Sequence, residues 1–582
     1  MIESLRLFHK ELEGNQSESF KNVNFIALNR GFLVTFGACT SDTVEYLEKI
    51  QINPNATFYK TWSDIISKSR FELYLDQLKH YASTYGTNFT GPQYVPNDGD
   101  ITLPDMKEIT VINTISKTDL ISKCLNMLYS GIALKEETLI DIQSILTKLN
   151  TIPEVELIKN KEAKMLYCKK SNTIPSNPEE LVRFLIYIAT GKTLLIKSQE
   201  VLDNILRHPI TLSKYITKDN IKSIASVFYR YKPIFLAMKY TAENSTIVNK
   251  LRKLAVKYHQ PKKPSFWSNV ITSGATCSDI IKHLDTINNF KKVAIINELF
   301  RRDVKDIENK PYFIRNGKMF VGPLKHKLQG NDKLYLILKS SLIESLSKKK
   351  CKVKFPKDID IALPSSEKSF IGDYPLYSNI PITKDTVFGI YWKEEWGTKD
   401  FDLSYMSKDG NKTGWNGSYA DKNSPIFSGD MTHAVPEATE LLYFPNGYDG
   451  LGILNVDRYS KEETSSLNIF VAKEKIKNME KNYMVNPDDI IFSNHVSPKS
   501  HQRIYGVIAN NRIYLTDIND GDHRVSYATN STEGFLDYVV KTINAHLSLV
   551  DILLLAGFTE DEENPDIDFT KLDKATLIEL LS

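Results

Sequence analysis

The feature that most constrains this chain is the mainly β texture that begins at residue 374. From there to about residue 530, short β-prone runs alternate with turn chemistry. The runs are Val387–Trp392, Phe401–Met406, Glu440–Phe444, Leu467–Val471, Arg503–Ala509 and Arg512–Asp517. Many short strands punctuated this way favour two packed antiparallel sheets over a helical bundle. The last two runs are separated only by Asn510-Asn511, a pair suited to the positive φ that a two-residue hairpin turn requires. Asn316-Gly317, between Tyr312–Arg315 and Lys318–Val321, predicts a second hairpin for the same reason.

Upstream, the apolar period is helical. The spacing predicts a helix over Ile65–Tyr85, closed by Gly86, and a loop in the Gly-, Pro- and Asp-rich stretch at 91–105. Asn177, Pro178 and Glu180 open a helix over Pro178–Thr190 with a cap, a first-turn proline and a capping-box acid, and Gly191 stops it. A second box at Thr276–Asp279 opens an apolar run over Ile280–Arg301. A Lys-rich stretch, Lys348–Lys357, reads as a helix end followed by an exposed linker. The tail contains a helix over Phe535–Leu555, an acidic loop over Glu560–Asp568 and an amphipathic end over Lys571–Leu581.

At 582 residues the chain is too long for one core. The expected fold class is multidomain α+β, with mostly helical N-terminal and middle regions followed by an antiparallel β-sandwich. The expected units are a mixed α/β domain at 1–110, an α-helical and HEAT-like region at 111–310, a hairpin and Lys-rich connector at 311–373, and the sandwich with C-terminal helices at 374–582.

Charge and cysteine content narrow the function classes. Lys and Arg number 74 against 71 Asp and Glu, so a nucleic-acid role would rest on local patches. Five dispersed cysteines (Cys39, Cys124, Cys168, Cys277 and Cys351), with no C-x-x-C pair, argue against a disulfide framework or a thiolate zinc site. No signal-like N-terminus and no long apolar run occur, so no membrane span is expected and the expected location is cytoplasmic, in a host cytoplasm or virion if phage-encoded.

The richest candidate site is acidic. In a strand, Asp400, Asp402 and Ser404 project from one face while Phe401 and Leu403 enter the core. Clustered carboxylates repel unless a cation or hydrogen-bond donors sit between them, and hard oxygen ligands suit Ca²⁺ or Mg²⁺. Ser428-Gly429-Asp430 and the pair Glu437 and Glu440 could complete the shell. A solvated strand edge beside acidic loops is the alternative.

The order Tyr391-Trp392, Asp400-Phe401-Asp402-Leu403-Ser404, Phe427-Ser428-Gly429-Asp430, Glu437-Ala438-Thr439-Glu440 resembles the TerD family of stress and tellurium-resistance domains. The resemblance implies a β-sandwich that binds Ca²⁺ through Asp400, Asp402, Asp430, Glu437 and Glu440. The sequence departs from the family where Ser428 stands in place of a frequent His. More broadly, the chain is similar to uncharacterised bacterial proteins associated with tellurium-resistance genes and to proteins of large phages. The RING-like zinc module that often accompanies the former lacks its Cys/His spacing here.

Three other features invite chemistry. Ala189-Thr190-Gly191-Lys192-Thr193 hints at a phosphate loop, but Ile186 stands where a P-loop needs Gly, and a capped helix precedes it. Tyr229-Arg230-Tyr231-Lys232, followed by Lys253, Lys257, His259, Lys262 and Lys263, interleaves aromatics with cations. The candidate RNA or single-stranded DNA contacts are Tyr229, Arg230, Lys232, Lys262 and Lys263, with solvated helix faces as the alternative. Asp517, Asp520 and Asp522 beside His523 form a second acidic loop off EF-hand spacing. No nucleophile–base set stands out. The expectation is a non-enzymatic binding or scaffold protein with protein partners and a cation-ordered domain. The alternatives are a single-stranded nucleic-acid binder and a virion component.

Overall fold

Capping chemistry sets many of the helix starts in this computed structural model. It describes residues 2–13, 110–192, 196–302, 332–393, 400–420, 424–434, 437–459, 465–486, 489–498, 500–521 and 546–582, the backbone of 32–34, 312–315 and 318–321, and a few isolated positions. The Asn177 side chain accepts from the backbone N–H of Glu179 (2.9 Å) and Glu180 (3.2 Å). The helix Pro178–Thr190 then ends at Gly191 with φ 69°. Glu180 does not close a capping box; its carboxylate meets Lys164 at 3.2 Å. Thr276 caps Cys277–His283 by accepting from Asp279 N at 3.2 Å.

The expected continuous run Ile280–Arg301 is instead two helices, Cys277–His283 and Asn289–Arg302, parted by a 3-10 turn at Leu284–Thr286. Short polar side chains cause the break by offering the backbone local partners. Thr286 Oγ1 donates to the His283 carbonyl at 2.5 Å, and Asn288 Oδ1 accepts from Lys291 N at 2.9 Å, restarting the helix. The expected helix Phe535–Leu555 is interrupted too. Ser548 pairs with Ala362 in an isolated bridge and caps a separate helix, Leu549–Leu555.

The fold is mixed α and β, with helices through the N-terminal and middle regions and antiparallel sheets in the C-terminal half. One helical body, spanning Lys161–Lys170 to Ala242–Tyr258, has its own core of Leu185, Ile205, Phe228, Phe235 and Leu251 among others. The other helices share a core with the sheets. Leu120, Ile145, Val293 and Leu342 join Phe388, Leu403 and Phe470, and so does Leu577 of the last helix, Lys574–Leu581.

A five-stranded antiparallel sheet has the order Ile426–Phe427, Glu437–Phe444, Thr386–Lys393, Leu467–Lys473, Ile490–Val496. Gly389 lies at its centre because space there is taken: a Cβ would meet Phe470 Cζ at 2.3 Å and Leu441 Cδ2 at 2.7 Å. The larger sheet runs Lys412–Gly414, Phe401–Ser407, Gly452–Arg458, Gln502–Ala509, Arg512–Gly521, Lys318–Val321, Tyr312–Arg315, and Asn379–Pro381 also pairs with Arg512–Gly521. The chain passes repeatedly between the two sheets. Phe401, Leu403 and Tyr405 share the main core with Phe388, Ile390 and Trp392, and the Trp392 and Phe401 rings meet edge to face at 5.7 Å. On the opposite side of the larger sheet, Met406, Ile453 and Val507 pack with Leu536, Val539 and Ile543.

Both expected hairpins form. Asn510 and Asn511 take φ of 51° and 56°, as a two-residue turn of this type requires. Tyr312–Arg315 pairs antiparallel with Lys318–Val321, and Lys318 lies parallel beside Asn519 on the larger sheet. The expected Lys-rich linker is corrected. Lys352–Lys354 is the middle strand of a small parallel sheet, flanked by Thr559–Glu560 and Ile567–Asp568, with Val353 fully buried. Lysines in and after this strand meet the acidic loop of the tail: Lys352 reaches Asp561 (2.8 Å) and Lys357 reaches Glu562 (2.9 Å). Most of Ile65–Tyr85 and all of the loop at 91–105 lie outside the described residues. Among the described residues no helix is long and apolar enough to cross a membrane.

A buried polar knot ties the helices to the sheet region. Glu367, fully buried, accepts from Lys135 N (2.7 Å), from the Thr138 hydroxyl and from Lys574 Nζ (2.9 Å). Six residues on, Asp373 accepts from Lys574 N (3.3 Å) and pairs with His9 (3.2 Å). Segments of the chain distant in sequence thus meet around one lysine.

Candidate metal centre

Two strands and one turn build the acidic site. The strand Phe401–Ser407 sends Phe401, Leu403 and Tyr405 to the main core, so Asp402 and Ser404 alternate to the other face. Asp400 precedes the strand. Asp430 arrives from the smaller sheet, after Ile426–Phe427, through a turn in which Gly429 takes φ 115°, a conformation that disfavours any side chain. Oxygen atoms of Asp400, Asp402 and Asp430 lie within 4.8 Å of one another.

These carboxylates have few partners. Asp402 is 5% exposed. Asp400 and Asp430 each have one buried oxygen with no hydrogen-bond partner, and so does the Ser404 hydroxyl. Burial, then the charges of Asp400, Asp457 and Asp430, push Asp402 up to about 8. Burial and Asp430 push Asp400 up to about 6. Without a cation the arrangement favours bound protons; a doubly charged ion would remove the repulsion that raises these values.

Glu437 and Glu440 sit differently. The Glu440 carboxylate is fully buried, accepting from Leu403 N and from Met431 N, each at 2.7 Å. It therefore ties the Asp402 strand of one sheet to the residue after Asp430. Burial pushes its pKa well up, against those two backbone donors. Glu437 accepts from the Tyr391 hydroxyl at 2.6 Å. The three-carboxylate group contains neither glutamate. Ser428 accepts from Leu441 N at 2.9 Å and anchors the turn.

Sequence reasoning missed the neighbouring strand Gly452–Arg458. It places Asp457 opposite Asp402 and Asn455 opposite Ser404, both fully buried. Asn455 Nδ2 donates to Asp457 Oδ1 at 2.9 Å. The alternation of Asn455, Asp457 and the apolar Leu454 and Val456 was the available signal. Lys412, on the edge strand paired with Phe401–Ser407, supplies the local positive charge: burial lowers its pKa while Asp457 and Asp402 pull it up. The charge of His433 adds to it by pulling Asp400 down.

The donor set fits a hard divalent cation. Ca²⁺ takes six to eight oxygens at about 2.3–2.6 Å, so ligand oxygens on opposite sides of an ion stand up to ~5 Å apart. Asp400, Asp402 and Asp430 satisfy that spacing, with Ser404 an additional unpartnered oxygen on the same strand.

Tyr229 is exposed and set edge-on to His259 at 4.9 Å. Arg230 pairs with Glu179 at 2.6 Å. Lys232, Lys262 and Lys263 are exposed, and the charge of Lys262 reaches Glu179. Lys192 pairs with Glu200, just past its helix end. Asp517 does not open a loop: it lies within the strand Arg512–Gly521 and accepts from Arg503 Nε at 2.9 Å, while Asp522 and His523 lie outside the described residues. No family model, curated protein or solved structure matches this chain.

Proposed function

We propose that the two large sheets form a TerD-like β-sandwich ordered by Ca²⁺ at Asp400, Asp402 and Asp430, within a non-enzymatic binding or scaffold protein of stress or phage biology. One observation carries the reading: three carboxylates converge within 4.8 Å, and Asp400 and Asp430 each keep a buried oxygen that lacks a donor. Nearly all native buried polar atoms find partners, so such a convergence is costly without a ligand. Glu440 supports the same reading as a positioning residue, because it fixes the strand and turn that deliver Asp402 and Asp430. The separate helical body supplies a second surface for a partner.

The test uses the full chain, since helices from distant parts of the sequence share the core of the sheets. Calorimetric titration with Ca²⁺ is expected to show one binding event at this site. Free Ca²⁺ at 100 times Kd would stabilise the fold by about 2.7 kcal/mol relative to EDTA. Asp402→Ala is expected to abolish both responses. Identical melting in Ca²⁺, Mg²⁺ and EDTA, with no heat of binding, would remove the cation from the account.

A further inference from the structure

We propose that the separately cored helical body binds single-stranded nucleic acid on a face built around Tyr229 and His259. The first observation is charge. Residues 196–265 carry 14 Lys and Arg against 4 Asp and Glu, a surplus of 10, whereas the whole chain has a surplus of 3. All of the compensating acidity lies elsewhere. A basic segment in a near-neutral protein marks a polyanion surface better than overall charge does.

The second observation is placement. Gln260 N donates to the Ser226 carbonyl at 2.9 Å, which lays the segment after helix Ala242–Tyr258 beside the turn bearing Tyr229. The Tyr229 and His259 rings then stand 4.9 Å apart at 79°. Lys257, Lys262 and Lys263 are exposed, and among the described residues none of them has an ion-pair partner. Glu179, the nearby acid, is already paired with Arg230.

The third is the aromatic and apolar character of the face. Tyr229 is 43% exposed and Val256, between the basic positions of its helix, is 80% exposed. An exposed ring among cations suits unpaired bases, which stack on it while the phosphates meet lysine. An acidic peptide or a duplex would use the charge and leave the rings idle. The proposal stands independently of the cation site.

Fluorescence anisotropy with a labelled single-stranded oligonucleotide of about 20 residues tests it on the full chain, with unlabelled heparin as a polyanion without bases. For three to four engaged phosphates, raising salt from about 50 to about 200 mM is expected to weaken binding roughly 20- to 50-fold. Lys257→Gln/Lys262→Gln/Lys263→Gln is expected to lower the logarithmic salt slope by about 2. Tyr229→Ala is expected to weaken oligonucleotide binding about fivefold or more while leaving heparin unchanged, and Tyr229→Trp is expected to restore it. No oligonucleotide binding at low salt, an unchanged slope in the triple variant, or failure of Tyr229→Ala to separate the two ligands overturns the proposal.

Discussion

At the scale of single residues, Asp402 carries a heavy electrostatic burden. With no cation its raised pKa means that the native state holds a proton that the unfolded chain releases above the ordinary value of 3.8. Its contribution to stability is therefore present at low pH and is lost as pH rises through about 8. The expected outcome in EDTA is a chemical-denaturation stability that declines between pH 5 and 8 more steeply for wild type than for Asp402→Asn. Saturating Ca²⁺ is expected to flatten the wild-type profile. A chelated wild-type profile parallel to that of Asp402→Asn would contradict the assigned proton. The site was partly legible because alternation at Asp400, Asp402 and Ser404 is a local signal. Glu440 was legible as an acid, but its task was not: its two backbone donors come from Leu403 and Met431, and only the tertiary structure brings those together.

At the scale of elements, local chemistry was readable and long-range pairing was not. Asn177, Pro178 and Gly191 define their helix from adjacent residues alone. The Asn510-Asn511 turn is equally local, and it yields a prediction. Glycine enters positive φ without a Cβ penalty, so Asn511→Gly is expected to be neutral or stabilising by up to about 1 kcal/mol, and Asn511→Val to destabilise by about 1–2 kcal/mol. Urea unfolding midpoints of the two variants check this. Lys352–Lys354 was misread because charged residues flank a single apolar Val353, and the acidic partners that neutralise them lie 209 residues away at Asp561. The strand Gly452–Arg458 escaped notice because buried Asn455 and Asp457 give it a polar face that solvent never sees. The run Ile280–Arg301 had a helical period, but the period does not register Thr286 and Asn288 competing for the backbone.

At the scale of the whole molecule, the knot around Glu367 and Lys574 holds helix, loop and tail in one arrangement. Removing one partner leaves a buried ammonium without its carboxylate, so Glu367→Ala is expected to cost about 3–5 kcal/mol in denaturant unfolding. A loss under 1 kcal/mol would show the knot to be incidental. The small parallel sheet has a temporal implication. A ribosome delivers Lys352–Lys354 long before Thr559–Glu560 and Ile567–Asp568 exist, so both hydrogen-bonding edges of that segment wait unpaired through much of translation. Nascent chains stalled between these points would present a sticky edge, and synthesis through residue 568, rather than of any earlier portion, is what closes it.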